Sequence, residues 1–537
     1  MGDWLSTSNA TLLLLGVAVA ASVVAYALVG RFRLDSPDEE ADPVQRIAVN
    51  SAIPIVSQLF IRGVDLAVAV VLLRLLGPSG NGQYALAIVV WLYVKTISDF
   101  GLSLLATREI ARDHSRLGRL IGMTTFFRLL VLAVASFPVA GYLALGSATG
   151  TLTRNSALAI VLLLVSIIPS SYTEAVNAAL NGLERMALAA VLNMAVGIVR
   201  APLAVAAGAN LDVPGVALAA VVAALLSADL YRRTLAGLGF RAIWSLSWAD
   251  VKWLTNESWP LLVNGLLVSL FFRLDVFVIQ AFRGDRALGL YDAAYKLINL
   301  VTIIPAYATL ALFPAMSQRA TDPESLRRLQ RLASSLLVWI AWLIVVVTTA
   351  GSELAIRLLA GDDYLPASAT LLRVLIWFAP LSFINGIAQY VLVAAGLQRR
   401  LVPAFIAAVA FNLVANLAFV PAYGTYASAA ITVATEIVIL LALVRATRSS
   451  VVSAISTTTL RSLWRPTVVG VVSAAMAVMV ATALNEVVAI PTVVVAFLLL
   501  SAVLNVFGED ERGVLLRALG RFQRAYPGPP SNSGKRP

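Results

Sequence analysis

The chain has no cysteine and a single histidine, and only 13% of its 537 residues are charged. The first absence excludes disulfides and thiolate metal sites. The lone histidine, His114, lies among Arg108, Arg112 and Arg116, where a solvated loop accounts for it. The scarcity of charge excludes an ordinary soluble domain, in which about a quarter of residues are charged. Long catalytic loops are missing too. No hydrophilic loop exceeds about twenty residues, too short for the carboxylate array of a membrane glycosyltransferase or polymerase, so an enzyme is not expected. The glycines of 77–82 lack the Lys-Ser/Thr that a phosphate loop requires.

What is present is apolar and continuous. AVILMFWYC residues make up 60% of the chain. They come in blocks such as Ala10–Gly30, Ile160–Leu180, Ala217–Leu235, Leu336–Ala350 and Val487–Phe507. Each approaches the roughly 20 residues that cross a hydrocarbon core of about 30 Å. Continuous blocks exclude a β-barrel, whose strands alternate. The reading is an all-α polytopic membrane protein of about fifteen spans, one N-terminal and about fourteen after it. Asp3 and the lack of a basic residue before the first block favour an anchoring helix over a signal peptide.

Lys and Arg alternate between loops. They crowd at Arg108–Arg119, Arg232–Lys252, Arg319–Arg331, Arg399/Arg400, Arg445–Arg465 and in the tail, and are nearly absent around 77–82, 209–215, 423–426 and 485–491. The positive-inside bias then places the basic loops and the C-terminus in the cytoplasm of a multi-pass cell-membrane protein. The same bias accounts for the net charge of +11, which is no nucleic-acid signature. Segments 237–254 and 451–464, with Trp244, Trp248, Trp253 and Trp464, read as interfacial.

An internal repeat organises the rest. LFIRGVDLAVAVVLLRLLGPSGNGQYALA from Leu59 parallels LFFRLDVFVIQAFRGDRALGLYDAA from Leu270. Both contain an Arg–Asp pair, an apolar stretch, a small-residue loop and a Gly-x-Tyr opening the next helix (Gly82/Tyr84 and Gly289/Tyr291). The expected domains are an N-terminal helix and acidic linker at 1–43, six-helix bundles at 44–240 and 241–450, two appended helices at 451–508, and a basic tail at 509–537. Internal repeats around a central site are how many transporters are built.

Charges within spans default to function. Arg62 and Asp65 lie a turn apart on one face, as do Lys95 and Asp99. Arg273 and Asp275, two apart, face different partners. Arg200 and Lys296 sit inside their helices, and Glu436 is deep with no cation near it in sequence. Arg128, Arg373, Glu174 and Asp229 lie nearer helix ends, where snorkelling explains them. Arg62, Lys95, Arg200, Arg273 and Lys296 together imply a hydrated, net positive cavity suited to an anion, since arginine binds phosphate bidentately. Asp65, Asp99, Asp275 and Glu436 are the candidates for charge pairing or ion coupling. No metal site is expected.

The run LLRLLGPSGNGQYALA from Leu72, DFGLSLLATREIARD from Asp99 and ALNGLERM from Ala179 resembles the oligosaccharide flippases of the polysaccharide-biosynthesis transporter family, within the multidrug/oligosaccharidyl-lipid/polysaccharide exporter superfamily. The likeness covers roughly residues 44–505. It implies two helix bundles in a V-shaped, alternating-access exporter, and translocation of polyprenyl-(pyro)phosphate-linked oligosaccharide for surface polysaccharide or glycoconjugate synthesis. It also implies membrane lipids and polymerase or glycosyltransferase proteins as partners, no nucleic acid, a monomer, and no cofactor beyond a coupling H⁺ or Na⁺. Arg62 and Arg273, at equivalent repeat positions, are the first anion-binding candidates. The alternatives are a peptidoglycan-precursor lipid flippase and a cation-coupled multidrug antiporter of the same superfamily.

Overall fold

A computed structural model describes residues 43–448, 452–483 and 485–507. The expected first span, the acidic linker that follows it and the basic tail fall outside these residues. Among the described residues, ten helical stretches are long and apolar enough to cross a membrane, and no strand is present. The chain is a multi-pass all-helical membrane protein.

The helices are α1 (Pro43–Asp99), α2 (Leu102–Arg112), α3 (Leu117–Ala148), α4 (Arg154–Gly182), α5 (Met186–Gly237), α6 (Trp248–Arg273), α7 (Asp275–Val301) and α8 (Ile303–Gln318). They continue as α9 (Pro323–Ala350), α10 (Ser352–Leu359), α11 (Ala367–Leu375), α12 (Phe378–Ala394), α13 (Leu401–Tyr423), α14 (Thr425–Thr447), α15 (Thr457–Ala483) and α16 (Glu486–Val503). At 1.5 Å per residue, the 52 residues of α5 are far longer than one crossing needs. They divide at Leu211–Asp212, where Asp212 adopts φ 53° just before Pro214.

The loop expected at 77–82 is shorter than its composition suggests. Only Gly77 leaves helical geometry, at φ 62°, and Pro78 already begins the next helix. Proline fits there because the first helical N–H has no intrahelical partner to lose. The second repeat breaks in the same way at Gly284, φ 76°. A left-handed φ followed by immediate re-entry into helix is a conformation that glycine alone adopts cheaply.

The chain forms two compact units. The first comprises residues 1–293, 356–368 and 412–428; the second comprises 294–355, 369–411 and 429–537. Segments 356–368 and 412–428 thus group with the first unit, and two arginines show how. Arg74, just before the Gly77 break, donates to the carbonyl oxygens of Arg357 (3.4 Å) and Leu358 (2.7 Å) at the end of α10. Arg283, just before the Gly284 break, donates to those of Val420 (3.1 Å) and Pro421 (2.8 Å) near the end of α13. Both helix ends run into positive-φ glycines, Gly361 and Gly424. Each arginine adds a donor to the carbonyls of a helix end, where the Gly361 and Gly424 N–H groups already reach those of Arg357 (3.1 Å) and Val420 (2.9 Å).

Helices in lipid associate by close packing rather than by burial from water, so small residues mark their contacts. In the first unit, Ala175, Ala178, Ala179 and Gly182 of α4 are buried against Leu105, Ala106 and Ile110 of α2. A Cβ at Gly182 would stand 2.9 Å from the Thr107 carbonyl oxygen. In the second unit, Gly470 of α15 lies under the Trp342 indole of α9, and the Trp339 indole donates to Ser501 Oγ of α16 at 3.0 Å. Polar caps mark helix starts outside the spans. Asp322 opens α9 by accepting from Ser325 and Glu324, which holds its carboxyl below the usual range.

The interfacial reading of 237–254 resolves into an extended strip, Phe240–Leu246, followed by α6, which Ser247 and Asp250 start as a capping box. The strip lies along α3. Ile243 N–H donates to the Gly118 carbonyl at 2.8 Å, and Trp244 stacks on Tyr172 and meets Phe126 edge-on. Trp248 is 80% exposed. Trp464 falls in the second turns of α15 rather than in a connecting strip, and is also exposed.

One buried ion pair holds the turn between α1 and α2. Arg128, expected to snorkel near a helix end, is 1% exposed on α3 and meets Asp99 at 2.8 Å and Ser103 Oγ at 3.0 Å. Ser98 Oγ closes the contact by donating to the Arg128 carbonyl at 2.8 Å. The turn it secures runs through Phe100 (φ 52°) and Gly101 (φ 79°), where a Cβ would collide with the Leu261 side chain.

Two outcomes test these contacts. Gly122→Ala places a methyl group 1.9 Å from the Ile243 carbonyl oxygen, so it should lift the strip and speed tryptic cleavage after Arg241; unchanged cleavage would show that the strip is held elsewhere. Arg128→Leu leaves Asp99 without its partner and should cost about 3 kcal/mol, lowering the unfolding temperature in detergent. The Arg128→Leu/Asp99→Leu double variant should regain part of that loss.

Candidate functional site

The first unit brings charges from both repeats together. Arg62 and Asp65 share one face of the first leg of α1. Asp65 does not pair with Arg62: it takes the guanidinium of Arg200 from α5, and both partners remain about half exposed. Tyr84, opening the second leg of α1, lies within electrostatic reach of Arg200, Asp65 and Asp292. Asp292 in turn accepts from Arg273 Nη2 at 2.7 Å. Tyr93 lies within reach of both Arg273 and Asp275. Tyr84 therefore lies between the Arg200–Asp65 pair of one repeat and Asp292, the carboxylate partner of Arg273 in the other.

Three of the five expected cations carry carboxylate partners here, and the pairings suggested by sequence spacing are replaced by others. Lys95 does not pair with Asp99. It bonds Glu174 of α4 at 2.8 Å and lies over the Trp91 ring. Asp99 belongs to Arg128, and Glu174, expected to snorkel, is the partner of Lys95. Arg373 bonds Ser352 Oγ (2.6 Å) and Glu353 (3.2 Å), while Asp229 pairs with the exposed Arg232 and Arg233. Lys296 falls in the second unit. Arg62 is exposed, and among the described residues no carboxylate pairs with it.

The aspartates differ in setting. Asp275, 4% exposed, accepts from Tyr291 Oη and Ser428 Oγ, while its Oδ1 has no hydrogen-bond partner among the described residues. Glu436, in the second unit, is 5% exposed and takes both its carboxylate bond (2.7 Å) and a backbone bond (2.9 Å) from the Asn385 amide. Among the described residues no cation pairs with it, and Asn385 Oδ1 is buried without a partner. No group of three or more potential metal ligands occurs among the described residues.

Two residues of this site escaped the sequence reading, Asp292 and Asn81. They flank the Gly-x-Tyr elements, which the sequence marked only as the openings of the next helices. Asn81 Nδ2 donates to the Gly289 carbonyl (3.0 Å) and to Asp292 Oδ2 (3.4 Å). The glycines beside them touch backbone to backbone. A Cβ on Gly82 would stand 1.8 Å from the Asp285 carbonyl oxygen, and one on Gly289 1.7 Å from that of Pro78. The signal in the sequence was the glycine itself at equal positions in both repeats.

Known proteins resemble this chain in sequence and in fold. The sequence model for polysaccharide biosynthesis proteins matches residues 47–319, just over half the chain, and a MatE model matches 260–421. A putative O-antigen transporter of Shigella flexneri is 26% identical over 321 residues, which is 57% of this chain and 74% of that protein. The fold is that of the lipid II flippase MurJ in an inward closed conformation, with a TM-score of 0.65 at 13% identity, covering 84% of this chain and 98% of that one. An inward-facing multidrug resistance MATE family transporter of the MOP superfamily superposes with a TM-score of 0.55 at 16% identity, covering 75% and 97%. With the two-fold sequence repeat, the all-helical fold and the match over more than half its length, this chain belongs to the polysaccharide biosynthesis protein family.

Proposed function

We propose that this protein is a flippase that moves polyprenyl-(pyro)phosphate-linked oligosaccharide across the cytoplasmic membrane by alternating access. The observation that carries the reading is that Tyr84 lies within reach of Arg200 with its partner Asp65 and of Asp292, the partner of Arg273, so that charge pairs from both repeats meet there. A guanidinium inside the membrane is expensive unless matched, and a phosphate matches it with two parallel charge-assisted bonds. The putative O-antigen transporter among its relatives supports a glycan-bearing cargo. In this reading Arg62 meets the headgroup first, because no carboxylate competes for it, and Arg200 and Arg273 follow by exchanging Asp65 and Asp292 for phosphate oxygens. The glycan occupies the hydrated space while the polyprenyl tail stays in lipid. Polymerases or glycosyltransferases use the delivered glycan.

Glu436 supplies the proposed coupling site. A carboxyl buried beside an amide, with no cation, is stable only when it holds a proton or a small cation. The Asn385 amide can orient either form, so H⁺ or Na⁺ exchange at Glu436 is the proposed drive.

Leaflet exchange of a fluorescent polyprenyl-pyrophosphate sugar in liposomes tests the first claim. Wild type should flip the probe, and Arg62→Ala and Arg273→Ala should each lose at least about tenfold in rate, equivalent to about 1.4 kcal/mol of binding. Undiminished exchange in both variants would refute the anion site, and export of cationic dyes in its place would mark a multidrug antiporter. For coupling, Glu436→Gln should keep passive exchange but lose acceleration by an imposed H⁺ or Na⁺ gradient. Gradient-driven transport that survives the substitution would rule Glu436 out as the coupling group.

A further inference from the structure

We infer that Trp91, Lys95, Glu174 and Asn177 form a subsite for a neutral, hydroxyl-bearing sugar, toward the basic-loop end of the first unit. The inference rests on the flippase reading given above and adds to it the residues that hold the glycan.

The starting point is a pair of charges that the proposed anion site does not use. Lys95 of α1 and Glu174 of α4 meet at 2.8 Å, with 34% and 32% of their side chains exposed. Glu174 lies eight residues inside the Gly182 end of α4, about 12 Å at 1.5 Å per residue. A charged pair that stays open at such a depth faces a hydrated space between helices rather than lipid. Lys95 lies eleven residues beyond Tyr84 on the unbroken second leg of α1, about 16 Å closer to Asp99. The subsite is therefore separate from the charge pairs that meet at Tyr84.

Two unpaired groups flank this ion pair. Trp91 precedes Lys95 by one helical turn and lies under its ammonium, 5.1 Å from the ring centre. Asn177 follows Glu174 by three residues on the same face of α4. Trp91 Nε1 and Asn177 Oδ1 are both buried with no hydrogen-bond partner among the described residues. The first can only donate and the second can only accept. Buried polar atoms are nearly always paired, so an orphan donor and an orphan acceptor beside one open ion pair mark a place where a ligand completes the bonding. Helix α5 adds polar groups at the same level: Tyr231 Oη donates to Asn193 Oδ1 at 2.9 Å, and Tyr231 lies within electrostatic reach of Glu174.

The donors and acceptors decide what that ligand is. Lys95 was expected from sequence to bind an anion, but a phosphate offers acceptors alone. It would leave Asn177 Oδ1 unpaired and would meet the charge of Glu174. A sugar ring presents hydroxyls that each donate and accept. Neighbouring hydroxyls accept from Trp91 Nε1 and Lys95 and donate to Asn177 Oδ1 and Glu174, so both orphans are satisfied while the ion pair stays together. Bonds to the two charged members are the stronger ones. A site that hydrogen-bonds a hydroxyl in this way discriminates sharply against a ligand that lacks it, because its buried polar atoms then stay unpaired. With the phosphate held near Tyr84, a headgroup that also fills this subsite carries an oligosaccharide rather than a single sugar.

The test is binding to the full chain in nanodiscs. The probe is geranylgeranyl pyrophosphate in three forms: bare, bearing one glucose, and bearing a chain of four glucose residues. The parent protein should bind the four-sugar form about tenfold more tightly than the bare form, and the one-sugar form like the bare one. Trp91→Phe keeps a ring under Lys95 and removes the N–H, while Asn177→Leu keeps the side-chain shape and removes the amide. Each should abolish most of the four-sugar advantage and leave binding of the bare form within about twofold. Replacing an unpaired buried polar atom by an apolar group of like shape is neutral or stabilising to a fold. Neither variant should therefore lower the unfolding temperature in detergent, which separates loss of the glycan contact from loss of structure. A parent without the four-sugar advantage, or variants that retain it, refutes the subsite while the anion site stands. Arg273→Ala, in contrast, should weaken all three forms. If the bare form does not bind and Arg273→Ala changes nothing, the anion site is refuted, and the four-sugar form compared between the parent and the two variants still decides the subsite.

Discussion

A charge inside a membrane must be matched where it stands. A single Arg, Lys or Asp at the centre of a span costs about 2.5–3.5 kcal/mol even on insertion scales. The arrangement of the first unit follows from that constraint. Arg128 keeps Asp99, Glu174 keeps Lys95, Asp65 keeps Arg200 and Asp292 keeps Arg273. These pairs join α1 to α3, α1 to α4, α1 to α5 and α6 to α7, so the requirement for charge matching also fixes which helices are neighbours. Two classes of pair emerge. Arg128–Asp99 is sealed, with the arginine side chain 2% exposed, and reads as a strut. Arg200–Asp65 is open, at 46% and 50%, and can exchange partners with a ligand. Arg273–Asp292, at 15% and 3%, is covered at both partners, unlike Arg200–Asp65.

The second constraint is backbone proximity at the repeat junction. Gly77 and Gly284 break their helices with left-handed φ values, and Gly82 and Gly289, five residues later, let the new helix starts touch. Arg74 and Arg283, just before the breaks, peg the helix ends at 357–358 and 420–421. The repeat thus conserves a device within the molecule rather than a string of letters: a capping arginine, a hinge glycine and a contact glycine. That device explains why 356–368 and 412–428 group with the first unit although they lie far along the chain.

Much of this was legible in the sequence. Continuous apolar blocks specify spanning helices because lipid leaves no other way to satisfy the backbone. The small residues at 77–82 marked the junction, and the equivalent repeat positions of Arg62 and Arg273 made them the first anion-binding candidates. Partner choice was not legible. Residues three or four apart on a helix are neighbours, which favoured Arg62–Asp65 and Lys95–Asp99 on sequence grounds. A local pair of that kind gains only about 0.2–0.5 kcal/mol, less than burial gains by matching each charge across helices. Asp99 therefore found Arg128, 29 residues away, and Asp65 found Arg200, 135 away. Arg128 and Glu174 were misread for the same reason: position near a helix end says nothing about whether a neighbouring helix covers that end. Asp292 was hidden because its neighbours, Gly289 and Tyr291, already accounted for the motif as the opening of a helix.

Paired arginines could be taken as evidence against an anion site, since a cavity whose cations are matched has little net field. The geometry argues the other way. A cavity of free guanidinium groups would be costly in its empty state and would bind phosphate too tightly to release it. Pairing each arginine with an aspartate lowers the energy of the empty state and sets the affinity by exchange, since the headgroup gains only the difference between phosphate and carboxylate as a partner. Transport needs that moderation, because a ligand bound equally tightly in every state moves nothing. Arg62, without a carboxylate partner, can supply initial attraction, while Arg200 and Arg273 supply contacts that form only as aspartates are displaced. In the proposed mechanism the aspartates belong to the transport site as much as the arginines, because their displacement ties headgroup binding to movement.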